Sequence, residues 1–159
     1  MSTHSEINYK LRFVGQVSEG VKKRIEKAGV LGITEFIPYV PHQEAVKYLM
    51  ESTILLLAIA DVPNVNANVP GKLFEYLASN KQIVCLGPVH SDTDRIIDEC
   101  GAGRLFHYAA YDLMLDHMTQ TSKAWKINPN LDLPVMNHNQ YSRRVLTEKL
   151  TQVIKQLIA

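Results

Sequence analysis

The 159 residues suffice for one domain with a buried core, and 46% hydrophobic with 21% charged residues is a globular composition. A net charge of +1 excludes the strong pull toward nucleic acid or anionic lipid that a basic protein exerts. The longest apolar run, residues 54–60, falls far short of the roughly 20 residues a membrane helix needs. The polar start, residues 1–6, has no signal-peptide core. Cys85 and Cys100 fall in a predicted strand and a predicted helix, without metal-ligand spacing. They read as small core residues of a reducing, cytoplasmic compartment, a disulfide being the minor reading.

Residues 1–10 read as a polar extension and residues 11–159 as one domain. Leu11-Arg12-Phe13-Val14 is a short strand closed by Gly15. Val17, Val21, Ile25 and Ala28 recur at helical spacing up to Gly29. Residues 34–40 form the next strand, with Pro38 marking an edge or an end. Pro41 opens a helix to about Glu51. Residues 53–59 (TILLLAI) lack polar alternation, as expected for a parallel strand covered on both faces.

An Asn-rich loop, residues 61–68, leads through Val69, Pro70 and Gly71 into a helix with Leu73, Phe74, Leu77 and Ala78 on one apolar face. Asn80 stops it. Residues 82–86 are a buried strand ended by Gly87-Pro88, and Ser91 and Asp92 cap a helix through Ile96, Ile97 and Cys100. Residues 104–108 (RLFHY) are the last strand. Residues 111–126 form a helix with Leu113, Met114, Met118 and Trp125 inward. Residues 128–136 are a Pro-containing connector, and residues 139–158 a long amphipathic helix that includes Tyr141. Its apolar stripe packs on a body or offers a partner surface. Repeated strand–helix units imply a Rossmann-like three-layer α/β/α domain with a mostly parallel sheet of about five strands.

Such sheets bind ligands at the carboxyl ends of their strands. The loop at residues 61–68 is long for a connection of typically about 2–6 residues. Backbone N–H groups of Gly71, Lys72 and Leu73 can hold a diphosphate, with the Lys72 ammonium adding charge. Glu75 can accept paired hydrogen bonds from a ribose diol. A purely structural reading is equally open: Pro-Gly makes a turn, and a helix dipole favours Glu in its first turn. His42 is a capping or a catalytic residue. His90, Asp92 and Asp94 serve a loop and a helix start, or a metal. No Gly-x-Gly-x-x-Gly, P-loop or nucleophile elbow occurs.

The order of elements, with VPGKLFEYLASNKQIV at its centre, resembles the C-terminal half of GT-B-fold glycosyltransferases, and more closely the retaining group 1 enzymes related to family four. Relatives typically carry Pro-Gly-Lys-Leu-Phe-Glu-Tyr-Leu-Ala and then Gly-Lys-Pro-Ile. Here Asn80, Lys81, Gln82 and Ile83 replace that last piece. The resemblance spans residues 11–158, and residues 69–86 are its specific part.

It implies a nucleoside-diphosphate-sugar donor. The carboxylate at the Glu75 position binds the nucleotide ribose, the backbone of Lys72 and Leu73 with Pro70 and Gly71 faces the diphosphate, and Tyr39, Val40 and Pro41 lie where the base packs. It implies neither a metal nor another cofactor, since helix N-termini and basic side chains neutralise the leaving group. A second family Glu, eight positions before the ribose carboxylate, is Ala67 here.

The acceptor-binding N-terminal domain and the first strand and helix of the donor domain have no counterpart. The expectation is therefore a fragment that binds a donor weakly and transfers nothing alone. The acceptor, the catalytic residues, the base and the sugar stay open. Two other readings remain: a non-catalytic domain for protein association, and a GT-B sugar-nucleotide epimerase whose catalytic carboxylates and histidine have no place here.

Overall fold

Strands and helices alternate along the chain in the order the hydrophobic pattern predicts. The computed structural model describes residues 8–63, 65–128 and 137–158. Most of the expected N-terminal extension and of the connector at 128–136 therefore lies outside the described residues. The chain divides after Glu51 into two units.

In the first unit, β1 (Leu11–Val14) and β2 (Thr34–Ile37) pair in parallel, Leu11 opposite Thr34 and Phe13 opposite Phe36. The two phenylalanine rings stack with centroids 5.6 Å apart. Strand β2 stops before Pro38, three residues short of the expected end at Val40. Helix α1 (Glu19–Lys27) starts at Ser18, whose side chain accepts from the Val21 N–H. It ends before Gly29, at φ +72°. Helix α2 (His42–Glu51) follows Pro41. The Arg12 guanidinium reaches Glu35 at 2.9 Å and Glu51 at 3.2 Å and lies over the Tyr48 ring. These carboxylates raise the Arg12 pKa, the Glu35 hydrogen bond foremost.

The second unit holds the apolar core. Strands β3 (Ile54–Ala58), β4 (Gln82–Leu86) and β5 (Gly103–Phe106) form a parallel sheet in the order β3-β4-β5. Leu57, Ile83, Cys85 and Leu105 share one face with Leu73 and Leu77 of α3 (Lys72–Ala78) and Ile96, Ile97 and Cys100 of α4 (Asp92–Glu99). On the opposite face His117 of α5 (Tyr111–Ile127) contacts Gln82 at 3.2 Å and tilts against the Phe106 ring. Helices thus lie on both faces of this sheet, as a Rossmann-like layering requires. Every strand pairing among the described residues is parallel, two strands in the first unit and three in the second.

Three expectations shift in detail. Strand β3 is not covered on both faces: Leu55 and Leu57 are buried but Leu56 is 47% exposed. Within the second unit it is an edge strand, and the α5 contacts fall on β4 and β5. Along α5 the half-covered face carries Met114, His117 and Met118, with Ser122 buried, whereas Leu113 and Trp125 point to solvent. Ala78 is exposed.

The C-terminal helix α6 is shorter than expected (Arg143–Leu157), because Tyr141 belongs to a preceding 3-10 turn, His138–Tyr141. There it hydrogen-bonds Glu99 and packs on Phe74, centroids 6.4 Å apart. The stripe of Leu146, Leu150, Val153, Ile154 and Leu157 is exposed. No helix among the described residues is long and apolar enough to cross a membrane. Both cysteines are free and buried, and burial pushes the Cys85 thiol up to about 12.

The partial burial of His117 makes stability pH-dependent. Burial, then the Arg104 charge, lowers the His117 pKa below its ordinary value near 6.5. The folded state therefore holds the neutral ring while the unfolded chain takes up a proton near 6.5. The contribution is complete above that pH and is lost as pH falls toward the lower folded value. Urea midpoints measured from pH 8 to pH 5 are expected to drop less in His117→Gln than in the unaltered chain.

Candidate functional site

Lys72, Leu73 and Glu75 occupy the first turn of α3, and Gly71 is its N-cap, with φ −56°, ψ −33° and no side-chain cap. The Leu73 N–H donates to the Pro70 carbonyl at 2.9 Å and the Phe74 N–H to that of Gly71 at 3.3 Å. Of the three amides that the sequence offers to a diphosphate, that of Leu73 is thus already engaged, and its side chain is fully buried. Gly71, Lys72 and Glu75 are exposed. Neither the Lys72 ammonium nor the Glu75 carboxylate has an ion-pair or hydrogen-bond partner among the described residues. The nearby Tyr76 phenol has a raised pKa, through burial first and the Glu75 charge second. Asn80, at φ +54°, ends the helix where the sequence places the stop.

Pro70, Gly71, Lys72, Leu73 and Glu75 are consecutive or nearly so and come together trivially. Tyr39, Val40 and Pro41 belong to the first unit, where Tyr39 is 78% exposed. Pro41 lines a shallow groove along α2 with Glu44, Lys47 and Glu51. His42 is the first, exposed residue of α2. His90, Asp92 and Asp94 act locally. The His90 N–H donates to Asp94 at 2.8 Å, the Asp94 N–H to Ser91 at 3.2 Å, and Asp92 pairs with Arg95 at 3.2 Å. Among the described residues, no three His, Cys, Asp or Glu side chains are grouped as metal ligands.

A cleft of about 580 Å³ opens where β3, β4 and β5 end. Asp61 and Asn66 enter it from the loop after β3, Pro88 and Val89 from the loop after β4, and His107, Tyr108 and Tyr111 from the segment after β5. This is the carboxyl edge at which parallel sheets gather ligands. The loops are legible in the sequence, but His107 is not. It sits inside the pattern RLFHY, which reads as strand, whereas β5 ends at Phe106 and releases His107 and Tyr108 to the rim.

No protein-family model and no curated protein sequence matches the chain. A solved structure does: WaaG, a glycosyltransferase involved in lipopolysaccharide biosynthesis, aligns with a TM-score of 0.52 at 13% identity, over 82% of this chain and 37% of that one. At that identity the likeness is one of fold, the GT-B type with its Rossmann-like halves, and this chain spans little more than a third of the WaaG length.

Proposed function

We propose that the chain forms the donor-binding part of a retaining glycosyltransferase that transfers a sugar from a nucleoside diphosphate to an acceptor. The observation that carries this reading is the fold likeness to a glycosyltransferase. The motif from Val69 to Ala78 gives it residues. The Glu75 carboxylate, exposed and without a partner among the described residues, accepts from the ribose hydroxyls. The Lys72 ammonium and the amides of Gly71 and Lys72 meet the diphosphate, whose negative charge grows as the sugar departs. Tyr39, Val40 and Pro41 are the proposed base contacts. The acceptor, and an acceptor-binding domain, lie outside this chain on the same reading.

The test is calorimetric titration with UDP, GDP and ADP. One nucleotide is expected to bind saturably. A charge-assisted hydrogen bond contributes about 1.5–3 kcal/mol, so Glu75→Ala is expected to weaken that binding by roughly ten- to a hundredfold. Equal affinity in the variant removes Glu75 from the site, and no binding of any of the three by the folded chain removes the donor reading.

A second reading rests on the exposed stripe of α6 and on Leu56 of the β3 edge. Apolar faces of this kind mark interaction surfaces, and the chain is then a module for protein association. Sedimentation in isolation and with candidate partner domains distinguishes the two readings.

A further inference from the structure

Helix α6 (Arg143–Leu157) carries its own local supports. Ser142 caps it, its side chain accepting from the Val145 N–H at 3.3 Å, and Arg144 pairs with Glu148, one turn on, at 3.8 Å. Yet every residue from Leu146 to Ile158 is exposed. Leu146 is 45% and Leu157 80% exposed, with Leu150 and Val153 between those values. A helix whose apolar side faces water gains by acquiring a partner.

Spacing says what kind of partner. Leu146, Leu150, Val153 and Leu157 follow one another at intervals of four, three and four residues, the spacing of a coiled-coil seam. The complement of such a seam is another helix that carries one. The series reads the same from either end. An antiparallel copy of α6 therefore sets Leu146 against Leu157 and Leu150 against Val153, with no apolar position left unmatched.

Charge says which helix. At about 3.6 residues per turn, Arg144, Glu148 and Lys155 fall on the side away from the seam. Along its length the seam is flanked by one charged residue, Lys149, which in the antiparallel pair lies beside Gln156 of the other copy. No like charges meet. A helix that lies on anionic lipid uses cations around its apolar face, whereas here most of the charge is turned from that face and includes a carboxylate.

Arg143 fixes the orientation. The first turn of α6 holds no acidic residue and begins with Arg143 and Arg144, at the end where a helix dipole disfavours cations. Arg143, three residues before Leu146, lies on the seam side. In an antiparallel pair it stands beside the C-terminal end of the other copy. The last carbonyls there have no partner within their own helix, and the dipole attracts a cation. A two-fold axis makes this contact twice.

We propose that α6 is an interface between two copies of this chain, paired antiparallel through Leu146, Leu150, Val153 and Leu157. This rests on the protein-association reading, whose exposed stripe it supplies with a partner, and it uses none of the donor-site residues. A pair of 15-residue helices is about 22 Å long. That is the small end of specific interfaces, so the dimer is reversible and depends on concentration.

Sedimentation equilibrium of the full chain tests it, over loading concentrations from about 1 μM to about 1 mM. A monomer–dimer equilibrium is expected. Leu150→Glu and Val153→Glu, both at exposed positions, each put a carboxylate into the apolar seam. Both are expected to leave only monomer, with circular dichroism unchanged. Arg143→Glu favours α6 in its own first turn, yet is expected to weaken the dimer by about tenfold, a combination that damage to the fold does not produce. A chain that stays monomeric throughout overturns the proposal; if that monomer binds a candidate partner domain, the protein-association reading survives without it. A monomer that pellets with phosphatidylglycerol vesicles overturns it in favour of a lipid surface. A dimer unaffected by Leu150→Glu and Val153→Glu, or by Arg143→Glu, overturns it as well.

Discussion

Gly103→Ala is expected to lose most of the stability of the second unit. A β-carbon built at Gly103 lies 1.9 Å from the Ile83 carbonyl oxygen and 2.7 Å from its carbon. Both are backbone atoms, so no rotamer change relieves the overlap. The residue also has φ +153°, which glycine adopts freely and alanine does not. Gly103 pairs with Ile83 at the start of β5, beside the Ile83 N–H bond to the Ala102 carbonyl at 2.9 Å. Relief therefore requires moving β5 away from the central strand of its sheet. Overpacking and backbone strain each cost about 1–3 kcal/mol, and here they coincide. A loss of more than about 3 kcal/mol, read by urea unfolding, is a large part of the stability of a small protein. Gly20→Ala, in exposed helix α1, is the control. Glycine is the weaker helix former by about 0.5–1 kcal/mol, so that change is neutral or stabilising. A Gly103→Ala chain that unfolds at the original urea concentration contradicts the β4–β5 register.

The order of elements was legible in the sequence because the strands are short, largely apolar runs, three of them closed directly by Gly or Pro. Leu11–Val14 ends at Gly15, and Gln82–Leu86 ends at Gly87. The cap at Ser91 was legible for the same local reason: its side chain accepts from the amide three residues on. What local pattern does not carry is which strand borders which. TILLLAI reads as doubly covered, yet β3 has one neighbour and its Leu56 meets solvent. Helix facing in α5 was misread for a related reason. Leu113 and Trp125 are the larger apolar side chains, but His117 sets the covered face through Gln82 and Phe106. Tyr141 looked like the first apolar residue of a helix and is instead a tether from a 3-10 turn to Glu99 and Phe74. At the site, the motif gave the residues around Gly71 but not the use of the Leu73 amide. A turn bond between residues 70 and 73 depends on dihedral angles, not composition.

The same motif mixes two kinds of residue, and stability separates them. Leu73 and Leu77 are 0% and 2% exposed, in contact with the core beneath β3 and β4. Lys72 and Glu75 are in the same first turn as Leu73 but exposed to solvent. Leu73→Ala removes buried methyl groups and leaves a cavity, at a cost of about 2–5 kcal/mol. Lys72→Ala and Glu75→Ala touch no buried group and are expected to stay within about 0.5 kcal/mol of the unaltered chain. Urea unfolding of the three variants, followed by circular dichroism, reads both outcomes. The contrast bears on function, because a motif built for folding alone needs its leucines and its turn, whereas the helix dipole gives a first-turn carboxylate such as Glu75 only a small stabilising role. Two stable variants whose nucleotide binding fails place Lys72 and Glu75 in a ligand site. A Glu75→Ala chain that loses several kcal/mol instead makes that carboxylate part of the scaffold, and the donor reading then rests on the fold likeness alone.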